Sequence, residues 1–132
     1  MKVYLSYSSK DKDLASDIAS RLSEEGYDVW NWQEELFPGD NWAKNLGEAL
    51  EQSDAMIVLI SKDSMDSWVV RKEISYALGS QRYEGRLIPI QIGSLPRSSI
   101  PWILTKMNLI RAVKDRDEIV NRIVERLEGA PV

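Results

Sequence analysis

The chain has 132 residues, 43% of them hydrophobic, and 17 basic against 21 acidic side chains leave a formal charge of −4. That length and apolar content suit one domain with its own core, and a mildly acidic chain without a long basic run is ill matched to nucleic acid as its main partner. Cysteine and histidine are both absent, which excludes disulfides, thiolate chemistry and Cys-ligated zinc and removes the commonest general base.

Met1 and Lys2 lead directly into VYLSY, with no signal-peptide core, and no apolar run reaches the length of a membrane span. A cytoplasmic protein without membrane attachment is expected, as a single domain over residues 1–132 that a longer protein could carry. Val3 to Leu5, with Tyr7, predict a first strand, and Ser8, Ser9 and Asp11 are N-cap candidates for the next helix. Leu14, Ile18 and Leu22 at spacing four, with Ala15 alongside, predict that helix, stopped at Gly26. Tyr27 to Trp30 reads as a second strand, and Asn31 to Gly39 as a loop closing on the turn pair Pro38-Gly39. Asp40 can cap a helix carrying Trp42, Leu46, Ala49 and Leu50 on one side. The unbroken apolar run Ala55 to Ile60 is what a strand covered on both faces requires.

A helix from about Trp68 to Gly79 follows, with Val70, Ile74, Ala77 and Leu78 on one face. Leu87 to Ile92 predicts another strand, Pro89 hinting at an edge position or an irregularity. Gly93 to Pro101 reads as a loop whose serines and lone arginine are solvated. Trp102 to Leu104 is expected against the body, with Trp42 and Trp102 filling core. Asn108 to Ala112 makes a short last strand, and Ile119, Ile123, Val124 and Leu127 mark a final helix. Strands alternating with helices imply an α/β fold with a parallel sheet, in which ligands bind at the carboxyl ends of the strands.

One acidic residue at that rim has no simple structural reason for its place. Glu73 falls on the shoulder of its helix's apolar face, and the residues three and four away are Val69, Val70, Tyr76 and Ala77, none a basic partner. Nor is it a capping-box glutamate for Ser67, since the third residue after Ser67 is Val70. A distant lysine or arginine is the structural alternative to a chemical role. Around it the rim offers hydroxyls at Ser6, Tyr7 and Ser8 and aromatic faces at Trp30, Trp32 and Phe37. Neither GxxxxGK[ST] nor GxGxxG is present. A phosphoacceptor receiver is disfavoured too, because the ends of the first and third strands read Ser6-Tyr7-Ser8 and Ile60-Ser61-Lys62 rather than acidic.

A carboxylate beside aromatic rings can hold ribose hydroxyls and oppose positive charge as a glycosidic bond breaks. Nicotinamide leaving NAD+ departs neutral, so a site without histidine suffices.

Val3-Tyr-Leu-Ser-Tyr-Ser8 with Lys10-Asp11, Leu36-Phe-Pro-Gly-Asp40, Ile57-Val-Leu-Ile-Ser61 with Ser64, and Val70-Arg-Lys-Glu-Ile74 together resemble the successive motifs of Toll/interleukin-1 receptor (TIR) domains, in particular bacterial ones. The resemblance covers essentially the whole chain. It implies a flavodoxin-like, three-layer fold with a five-stranded parallel sheet and helices on both faces. It further implies a domain that cleaves NAD+ to nicotinamide and ADP-ribose or a cyclic isomer, with NAD+ as substrate, no cofactor and no metal, in immune or antiphage defence. By the same match Glu73 is the catalytic glutamate, Tyr7 and Trp30 line the nucleotide pocket, and the Asn31 to Gly39 loop, with Leu36, Phe37, Pro38 and Gly39, gates the site and mediates assembly with other TIR domains. The chain departs from the family at two places: a tryptophan is expected four residues before the glutamate, where Val69 stands and Trp68 precedes it, and an aspartate is expected near Trp32. Trp68 lies about 140° around the helix from Glu73, and joins the site only if the helix begins after it or is irregular. A non-catalytic adaptor acting through TIR–TIR contacts and a nucleoside deoxyribosyltransferase-like enzyme are the alternative readings.

Overall fold

Period-two alternation builds the sheet. Along β1 (Lys2–Ser6), Val3 and Leu5 turn into one layer and Tyr4 into the other. β3 (Ala55–Ile60) repeats the pattern, with Ala55, Ile57 and Leu59 on the first side, Met56, Val58 and Ile60 on the second, and every residue buried. With β2 (Asp28–Trp30), β4 (Leu87–Gln91) and β5 (Ile110–Arg111) these strands form one all-parallel sheet in the order β2-β1-β3-β4-β5. The computed structural model describes residues 1–31, 42–107, 109–111 and 115–129.

Among the described residues the α-helices are α1 (Lys12–Glu24), α2 (Trp42–Gln52), the single turn α3 (Lys62–Met65), α4 (Trp68–Leu78), the single turn α5 (Trp102–Thr105) and α6 (Arg116–Leu127). α1 and α6 cover one face, through Ile18, Leu22, Ile119 and Ile123; α2 and α4 cover the other, through Leu46, Ala49, Val70, Ile74 and Ala77. A three-layer, flavodoxin-like sandwich results. α1 and α6 are also joined at their solvent edge, where Asp17 accepts from Arg21 at 3.1 Å and from Arg116 at 2.9 Å. Those two guanidiniums, Arg116 foremost, hold the Asp17 carboxyl below its ordinary value.

Local signals in the sequence placed the element ends. α1 stops at Glu24, and Gly26 turns the chain toward β2 with φ +95°, a region open to glycine and strained for other residues. Ser67 caps α4 by accepting from the Val70 N–H at 3.3 Å. The loop between β4 and α5 exposes Ser98, Ser99 and Arg97, as its composition predicts.

Three expectations are corrected. β4 lies between β3 and β5 and is no edge strand. Because Ile92 donates to Ile60 on β3, alternation turns the nitrogen of Pro89 toward β5, which starts only opposite Ile90, so the missing N–H interrupts no ladder there. Leu78 is exposed, since it lies past Ala77, the last position α4 buries. Trp102 is 70% exposed; on the single turn α5 it is Leu104 that is buried.

Candidate functional site

Two crossovers leave β1 flanked by β2 on one side and β3 on the other, which is the switch point of the sheet and the place where such folds bind ligands. α4 passes over this point. Glu73, midway along α4, is 4% exposed, and its carboxylate meets two side chains of β1. The Tyr4 hydroxyl donates to Oε2, and Ser6 Oγ donates to Oε1 at 3.0 Å. Strand parity explains the pair, because residues two apart on β1 face the same layer.

Both donors are neutral. Among the described residues no lysine or arginine forms an ion pair with Glu73. Burial is therefore uncompensated by charge and pushes the carboxyl up to about 8. At neutral pH it holds its proton, and a cation beside it would draw that proton off.

The Tyr4 ring continues the site toward β2. It stacks on Trp30 with centroids 5.2 Å apart and planes inclined by 17°, and Trp30 is half-buried at the carboxyl end of its strand. Glu73, Ser6, Tyr4 and Trp30 are thus joined in one chain of contacts from α4 through β1 to β2.

The other sequence-predicted residues are placed differently. Tyr7 is buried in the opposite layer, with Val3 and Leu5, and its hydroxyl donates to Asn31 Oδ1. Ser8 caps the short turn Ser9–Asp11, accepting from the Lys10 N–H at 3.3 Å. α4 is regular and includes Trp68, which is 68% exposed with the Lys72 ammonium 5.6 Å above its ring; it points away from Glu73. Trp32, Leu36, Phe37, Pro38 and Gly39 lie outside the described residues, as does the Trp42 side chain. The residue that sequence reasoning missed is Tyr4, and the signal that could have found it was its shared parity with Ser6.

No group of three or more acidic residues able to hold a metal ion occurs among the described residues, and no helix among them is long and apolar enough to cross a membrane.

A flavodoxin-like sheet with a buried carboxyl over its β1/β3 crevice defines a broad class of α/β domains. Within it, the family model described as TIR domain matches residues 3–127, and the chain belongs to the TIR-domain family. A curated protein of Methanobrevibacter olleyae named "Probable 2′ cyclic ADP-D-ribose synthase TcpO" is 25% identical over 130 residues, 95% of this chain. The chain spans 38% of that protein's length. The TIR domain of the Toll-related receptor TRR-2 from Hydra magnipapillata superposes with a TM-score of 0.73 at 23% identity, over 94% of each chain. A metazoan TIR-STING receptor from C. gigas gives a TM-score of 0.81 at 20% identity, over 98% of this chain and 40% of that one. The two structures share the fold.

Proposed function

We propose that this TIR domain cleaves the bond between nicotinamide and ribose in NAD+, with Glu73 as the catalytic carboxylate. The observation that carries the reading is a glutamate buried at the switch point and held at both oxygens by Tyr4 and Ser6. The cyclic ADP-ribose synthase name of the archaeal relative supports the same chemistry.

The steps follow from charge. NAD+ brings a pyridinium whose positive charge favours ionisation of Glu73, and the proton leaves to solvent. As the C1′–N bond breaks, its electron pair goes to the ring nitrogen and positive charge builds on the ribose. The carboxylate opposes that charge in a dry setting, where it acts strongly. Nicotinamide leaves neutral without a general acid. Water then attacks C1′ and loses a proton to give ADP-ribose; an internal hydroxyl in its place gives a cyclic isomer. Trp30, half-buried and backed on one face by the buried Tyr4 ring, offers an aromatic face for a planar ring.

Self-association with other TIR domains and a role in cytoplasmic immune or antiphage defence belong to this proposal. The exposed indole of Trp68 beside Lys72 supports a protein-facing surface on α4. The test is nicotinamide release from NAD+ by concentrated or bead-clustered protein, with Glu73→Gln in parallel and products separated by chromatography. Release by the wild type and at least about a hundredfold loss in the variant are expected. Folded, clustered wild type without release, or equal release by the variant, overturns the reading.

A further inference from the structure

Beyond the Glu73 site, the same rim of the sheet carries a second feature, between the carboxyl ends of β3, β4 and β5. Two adjoining hollows of about 600 and 460 Å³ open there, both bordered by Arg97 and Thr105. Their sizes fall in the range of small-molecule sites, about 300–1,000 Å³. Arg71 lines the first and Arg111 the second, so Arg97 shares one hollow with each. None of the three arginines is in an ion pair among the described residues, and no acidic side chain is among the described residues lining either hollow. In a chain of formal charge −4, three unneutralised guanidiniums along one groove make a local anion trap. Ser98 and Ser99 add hydroxyl donors at its edge.

The groove also has an apolar wall. Trp102 lines the first hollow and leaves 70% of its surface exposed. An uncovered indole beside arginines suits a planar ring joined to a negatively charged group. A pair of arginines bordering each hollow, with Arg97 common to both, suits two linked phosphates, each met by a planar fork of N–H donors. Glu73 lines neither hollow, and Arg71 lies two residues from it, about 200° around α4.

We propose that this groove is a binding site for a nucleoside diphosphate, separate from the site at Glu73, with Arg71, Arg97 and Arg111 holding the phosphates and Trp102 stacking on the base. It does not depend on NAD+ cleavage.

Calorimetric titration of the whole chain with ADP, inorganic pyrophosphate and adenosine tests it. ADP is expected to bind with a salt-sensitive affinity that falls about tenfold or more in Arg97→Ala and is partly kept in Arg97→Lys. Trp102→Ala is expected to weaken ADP and leave pyrophosphate unchanged. Glu73→Gln is expected to bind ADP as the wild type does. No heat at millimolar ADP, or an affinity indifferent to Arg97→Ala in a variant whose melting temperature is unchanged, overturns the assignment. So does loss of ADP in Glu73→Gln alone, which places the nucleotide in the other site. A chain that takes no ADP but sediments differently after Arg97→Ala assigns the groove to a second copy, and also overturns it.

Discussion

Replacing Glu73 with glutamine removes the charge and keeps the shape. The amide oxygen can still accept from Tyr4, and the amide nitrogen can donate to Ser6 Oγ. What disappears is the titration of a carboxyl moved from 4.5 to about 8 by burial. Below about pH 4.5 that group is neutral in both the folded and unfolded chain and costs nothing. Between 4.5 and 8 the unfolded chain releases the proton and the folded chain keeps it, so stability falls as pH rises; above 8 the loss levels off. At about 1.4 kcal/mol for each pH unit separating the two titrations, the full cost is about 5 kcal/mol, of which about 1 is present at pH 5 and about 3 at pH 7. Every other titrating group is shared by the two proteins and cancels in their difference. Urea unfolding of both at pH 5, 7 and 9, with m unchanged, should therefore show the glutamine variant gaining about 4 kcal/mol relative to wild type across that range. A difference that stays flat within about 0.5 kcal/mol means that water or a counter-charge reaches the carboxyl, and refutes the burial argument.

Tyr4→Phe keeps the stack on Trp30 and removes the phenol donor that steadies the ionised carboxyl. The pH at which kcat/KM levels off, expected near 8 in wild type, should move up by about one to two units, a change that loss of packing alone would not produce. Ile57→Ala, in the middle of a fully buried central strand, should cost about 2–5 kcal/mol in denaturant unfolding. Asp17→Asn removes the charge shared by Arg21 and Arg116 at the α1–α6 edge, where Arg21 keeps its pair with Asp117. Because that cluster is partly solvated, the loss should be under about 1 kcal/mol, shrink in high salt, and vanish as pH falls through the Asp17 titration below 3.8.

Features recorded in neighbouring residues were legible before any coordinates. The apolar run from Ala55 to Ile60 is the central, doubly covered strand because only burial on both faces permits six apolar residues in a row. Gly26 ends α1 because its backbone enters a region that other side chains avoid. Glu73 stood out because its near neighbours on the helix lacked a partner. Its hydroxyl partners were harder to read. Ser6, Tyr7 and Ser8 are adjacent in sequence, yet one faces the carboxyl, one is buried in the opposite layer and one caps a turn. Trp102 looks like a core residue by size, but nothing in a short window says whether another element covers it.

Periodicity and turn chemistry act over two to four residues, so the sequence alone determined the order of strands and helices and the singular position of Glu73. The bonds that make a site of it join positions 69 and 67 residues apart. They exist because the crossovers bring α4 over β1 and because strand parity turns Tyr4 and Ser6 to that side. That meeting, with the loss of water that moves the carboxyl to about 8, was decided only when the layers closed, since desolvation depends on what covers a group and not on what adjoins it in the chain.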